Sequence, residues 1–160
     1  MGRGKIGLLM ACTFASIGLL AGELQAGHEQ SAKTIELTPQ TIVSARRASM
    51  MLSGANMAAI KGAIDRGEDP KNIVFATTAL AQWAKVLPEV FLVESTTSLS
   101  KAKPEIWSDR DAFSSISQSF ATDTALLRDY AIAGKKESLA EQWTKVRSNC
   151  ASCHERFKAD

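Results

Sequence analysis

Leu139-Ala140-Glu141-Gln142-Trp143-Thr144-Lys145-Val146-Arg147-Ser148-Asn149-Cys150-Ala151-Ser152-Cys153-His154-Glu155-Arg156-Phe157 carries the cleanest hydrophobic period in the chain. Leu139, Trp143, Val146, Cys150, Cys153 and Phe157 recur at four, three, four, three and four residues, the spacing of one helix face. Embedded in that face is Cys150-Ala151-Ser152-Cys153-His154, a C-x-x-C-H attachment signature of c-type haem. Residues three apart share a helix face, so both thiols can reach one edge of a porphyrin and form thioethers with its two vinyl groups. His154 is turned about 100° from Cys153 and can bring its imidazole beneath the ring. Other uses of the pair fit less well. A thioredoxin-like C-x-x-C needs a strand-then-helix context, and a structural zinc site needs four ligands.

Reading outward, the 160 residues suit one domain. Arg3 and Lys5, an apolar run from Ile6 to about Leu20, and Leu24-Gln25-Ala26 before Gly27 read as a secretory leader over residues 1–26. The run is short of the roughly 20 apolar residues that an uncleaved anchor needs, and too little apolar sequence precedes Cys12 for a lipidated cysteine. Cleavage would remove Cys12 and leave two cysteines, both in the haem motif. Loss of Arg3, Lys5 and Glu23 would take the 19 basic and 17 acidic residues to 17 and 16. Near-neutrality argues against a nucleic-acid surface while leaving room for a protein partner that docks on a local patch.

Residues 27–160 read as four helices with no strand and no repeat. Thr38-Pro39 caps the first, which runs to about Arg66 with Val43, Arg46, Met50, Ser53, Met57, Ile60 and Ile64 on one face. Asp69-Pro70 opens the second, striped by Ile73, Ala76, Leu80, Trp83 and Leu87. A long connection follows Pro88, with a helical turn expected in Glu89 to Val93; such connections are often functional. Ser108 or Asp109 caps the third, with Phe113, Ile116, Phe120, Leu127 and Tyr130 inward and Gly134 as its stop. Ser138-Leu139-Ala140-Glu141 reads as a capping box for the fourth. Short links at 67–69 and 134–137 predict an all-α, antiparallel up-down-up-down four-helix bundle, with covalent haem c near the C-terminus. Trp83, Trp107 and Trp143 read as packing residues rather than electron relays.

With these pieces in place the chain resembles the class II cytochromes c, the group of cytochrome c' and its low-spin relatives. The resemblance rests on the C-terminal haem motif with Phe157, the Arg46-to-Met50 spacing, and Lys103-Pro104-Glu105-Ile106-Trp107-Ser108-Asp109, and it spans about Thr41 to Lys158. It implies one haem c per chain, linked through Cys150 and Cys153 with His154 as proximal iron ligand, in a periplasmic and commonly dimeric protein. It puts Met50 on the distal side, where methionine binds iron in low-spin members and packs over an open iron in cytochrome c'. From the residues alone, Met50 is equally a gap filler on a core stripe.

Arg46, a cation on an apolar face, needs an anion. The resemblance supplies a haem propionate, within reach of Arg47 too; a carboxylate or solvent are the alternatives. The leading expectation is a periplasmic electron carrier, not an enzyme, with iron held by His154 and Met50 and with redox proteins as partners. The alternative is a five-coordinate protein that binds NO or CO. No stable membrane insertion is expected after processing.

Overall fold

The structure, a computed structural model, describes residues 37–91 and 95–160. The expected leader over 1–26, with Cys12, and His28 lie outside the described residues.

Helix α1, Pro39–Asp65, starts where Thr38 accepts a hydrogen bond from the Thr41 amide at 3.2 Å and Pro39 fills the first helical position. It ends in a Schellman turn: Gly67 adopts φ +65°, the Gly67 amide donates to Ile64 and the Glu68 amide to Ala63. Asp69 then accepts from the Lys71 amide, and a tight turn at Pro70–Ile73 feeds α2, Val74–Val86. After a turn at Glu89–Phe91 and a single helical turn α3, Glu105–Ser108, Asp109 caps α4, Arg110–Ile132. A second Schellman turn at Gly134 (φ +68°) leads into α5, Lys136–Phe157. The four long helices pack as α1 on α2, α2 on α4, α4 on α5 and α5 on α1. That closed ring is the up-down-up-down bundle, and the described residues contain no strand beyond an isolated bridge between Ala102 and Lys158.

The start of the last helix differs from the sequence reading. α5 opens at Lys136 with no side-chain cap, and Ser138 already lies inside its first turn. The reason is local: the Schellman turn of α4 hands the chain over within two residues, which leaves no space for a separate capping box.

The α2 stripe is also broader than expected. Thr77, Ala81 and Ala84 are buried beside Leu80, and the Thr77 hydroxyl bonds back to Ile73 and Val74 carbonyls. Small residues let α2 and α4 approach closely, which an apolar-period reading undervalues.

At one end the core is aromatic. Phe113 meets Phe91 and Phe157 edge to face, at 5.2 and 5.4 Å between centroids. The long connection is sewn to the C-terminus there, with the Ala159 amide donating to Lys101 and the Lys103 amide to Phe157. Among the described residues no helix is long and apolar enough to cross a membrane.

Candidate functional site

The middle of the bundle is not filled. A cavity of about 370 Å³ opens between the four long helices. Protein interiors are normally packed almost without voids larger than a water, so a space of this size beside Cys150, Cys153 and His154 is the candidate site. Its α1 wall is kept low by Ser53, Gly54 and Ala58, between Met50 and Met57. Trp83 and Leu87 close it from α2, Ile116 and Phe120 from α4, and Trp143 from α5. Trp143 is fixed by its indole N–H, which donates to the Met57 carbonyl at 3.0 Å. Six stripe members that are only partly buried, Met50, Trp83, Ile116, Trp143, Cys150 and Cys153, face this space.

Cys150, Cys153 and His154 share the α5 wall, and both thiols are free. Burial, and secondarily the neighbouring Cys150, pushes the Cys153 thiol up to about 11. Burial also raises Cys150, partly offset by a backbone hydrogen bond. Both sulfurs therefore stay protonated at neutral pH. Burial, followed by the charge of Lys158, lowers His154, which favours the neutral imidazole that a metal requires. The α5 wall is held from behind. Asp123 on α4 accepts from Asn149 Nδ2 at 2.7 Å and from Gln142 Nε2 at 2.8 Å, and Gln142 is wholly buried. Sequence reasoning missed this clamp. Its trace is that Gln142 and Asn149 are seven apart, hence on one face beside the haem cysteines.

Arg46 and Arg47 are both bound by the connection after α2. Neither lines the cavity. Arg46, 4% exposed, donates to the carbonyls of Val90 and Ser95 and to the hydroxyls of Ser95 (2.7 Å) and Ser100, and its guanidinium lies 4.5 Å from the Phe91 centroid. Arg47 donates to the Leu99 carbonyl at 2.8 Å. The long connection after α2 solvates the buried cation with neutral oxygens and an aromatic face. Burial lowers the Arg46 pKa.

The cavity fits haem c. It is an apolar slot with two thiols and an imidazole on one wall, and among the described residues the two buried side-chain polar atoms without partners, Trp83 Nε1 and Ser117 Oγ, belong to residues that line it. Fold and site together define a helical-bundle protein of the C-terminal C-x-x-C-H type.

The chain belongs to the cytochrome c' family, whose model matches residues 41–158, and the family's group is covalent haem c. A cytochrome c' from Allochromatium vinosum is 24% identical over 144 residues, covering 87% of this chain and 94% of that protein. Among solved structures, a cytochrome c' with ligand-controlled dimer dissociation superposes with a TM-score of 0.73 at 22% identity, over 78% of this chain and 99% of the other. A ferrous variant of the Alcaligenes xylosoxidans protein with bound NO gives 0.71 at 22%, over 78% and 98%. These two likenesses are of fold.

The family match corrects the leading expectation from sequence. The relatives are cytochromes c', not the low-spin carriers in which a methionine binds iron, so the reading of Met50 as a ligand in an electron-transfer protein does not stand. Met50 is a partly buried side chain packed against the hydrophobic core at the cavity wall, the gap-filling alternative that its stripe position allowed.

Proposed function

We propose that this protein binds NO or CO at a five-coordinate haem c. The observation that carries the reading is the pairing of Cys150, Cys153 and His154 on one wall of an apolar cavity with Met50 on the neighbouring α1 wall. Bound there, haem c would supply an iron able to take up a diatomic gas. Cys150 and Cys153 provide the two sulfurs for thioether links, and His154 provides the proximal nitrogen. Met50 covers the remaining side by packing, and with Met57, Leu87 and Phe120 it excludes water from the ligand's path. The Asp123 clamp keeps the attachment helix in register while these bonds hold. A relative with NO bound supports the choice of ligand.

Gas binding in place of bond-breaking makes the protein a non-enzyme. A secretory leader over residues 1–26, as the sequence reads, and attachment of haem outside the cytoplasm support a periplasmic place for the domain of residues 27–160. Homodimerisation is supported by a dimeric relative and by apolar side chains turned outward, among them Met51 on α1 (75% exposed) and Phe75 on α2 (86% exposed).

Absorption spectra of the purified haem protein, oxidised, reduced and under CO, test the reading. High-spin spectra with ready CO uptake support it; a spectrum that CO leaves unchanged refutes it.

A further inference from the structure

The cavity opens to water along one seam of the bundle. Of the residues that line it, those exposed to solvent are Gly54, Ala58, Arg147 and His154, and all four lie on α1 or α5. The lining residues of α2 and α4 are buried or half-buried, so the mouth lies between α1 and α5. Gly54 and Ala58, with little or no side chain, keep its α1 lip low. Arg147 stands on the α5 lip, one turn before Cys150 and two turns before His154.

That lip carries a charge. No aspartate or glutamate lines the cavity, and burial holds His154 toward its neutral form. A guanidinium does not deprotonate in proteins, which makes Arg147 the one permanent charge on the wall. Among the described residues it has no ion pair, and Trp143, Thr144, Cys150 and Ala151, its neighbours one turn away, bring no carboxylate. Its guanidinium lies 5.8 Å from the centroid of Trp143, a ring that itself lines the cavity. Lys61 approaches the same ring from α1, but Asp65, 2.5 Å away, offsets its charge.

When ferric haem accepts one electron from an external one-electron donor, its charge falls by one and no bond breaks. A nearby cation repels the ferric form more than the ferrous form, so it favours reduction. The ferrous form is the one that takes up CO under the function proposed above. We infer that Arg147 raises the reduction potential of the haem and so enlarges the ferrous fraction available to CO. It acts through its charge, and because it stands at the mouth, added salt weakens its effect. This rests on the haem reading, which haem per polypeptide by pyridine haemochrome reports separately.

The test is the midpoint potential of haem-loaded wild type, Arg147→Lys, Arg147→Gln and Arg147→Glu, from mediated spectroelectrochemical titrations at low and high ionic strength. Arg147→Gln lowers the potential, and Arg147→Glu lowers it about twice as far, because the charge changes by two units instead of one. Arg147→Lys stays near wild type, and the differences shrink in high salt. Potentials unchanged in both Arg147→Gln and Arg147→Glu overturn the inference and leave Arg147 a solvated side chain resting on Trp143. Equal shifts in Arg147→Lys and Arg147→Gln also overturn it, since they assign the effect to packing on the indole. Lys145 is exposed on α5 and does not line the cavity. A shift in Lys145→Gln as large as that in Arg147→Gln would reduce the effect to general surface charge and overturn the inference as well. Should Arg147→Glu take no haem, the Gln and Lys variants with the salt series decide. Wild type without haem overturns this inference together with the function.

Discussion

Met50 and Arg46 are one helical turn apart on α1 and have opposite surroundings. Met50 faces the cavity, and removing its thioether opens space without touching a bond to iron. Met50→Ala is expected to leave the spin state of both oxidation states unchanged. It should tighten CO binding by about tenfold, corresponding to about 1.4 kcal/mol of steric relief, read by CO titration. A switch from low to high spin on this substitution would mean that the sulfur had been a ligand. Arg46 serves the fold. Arg46→Met deletes the donor to two carbonyls and two hydroxyls and leaves buried acceptors unpaired. Urea unfolding should show a loss of about 2–4 kcal/mol, with the visible spectrum of the folded protein preserved. The sequence announced that Arg46 was unusual, since a cation on an apolar stripe demands compensation. It did not announce the compensation, because Ser95 and the Val90 carbonyl come from a connection with no period to read.

The helices were legible where caps and periods agreed. Thr38-Pro39, Asp69-Pro70 and Asp109 open elements as their chemistry dictates, and the two glycines at positive φ close them. Gly134→Ala puts a Cβ on a left-handed residue and should lower stability by about 1 kcal/mol in thermal melts. The Ser138 box failed because a capping pattern is only a local preference, and the Gly134 turn had already committed Lys136 to the helix. The clamp between α4 and α5 was illegible for a different reason: Asp123 looks like an ordinary surface acid until the fold brings it to Gln142 and Asn149. Asp123→Ala removes the carboxylate that accepts from Gln142 and Asn149, leaves Gln142 only its bond to the Asp123 carbonyl, and should cost about 1–3 kcal/mol. It should also lower the fraction of chains that acquire haem, measured as haem per polypeptide, because the attachment helix loses its brace.

Over the whole molecule, the bundle is built around a space that its own side chains do not fill. Residual cavity costs about 24 cal/mol per Å³, so roughly 370 Å³ corresponds to at most about 9 kcal/mol, comparable with the entire stability of a domain this size. The chain without its group is therefore expected to lose cooperative unfolding. A Cys150→Ser, Cys153→Ser double variant should keep helical far-UV dichroism while its near-UV signal and sharp melt disappear. Architecture and attachment motif could both be read from one helix, because a single rigid segment must tether the porphyrin and bind its iron. The ligation state could not, since a methionine on a core stripe looks the same whether it packs or bonds. Family membership decided between them.

Electron paramagnetic resonance of the ferric protein, paired with the absorption spectrum of the reduced form before and after CO, tests the central claim most directly. High-spin iron in both states, converted to a CO adduct on reduction, is the predicted result; low-spin iron in both states that refuses CO would contradict it.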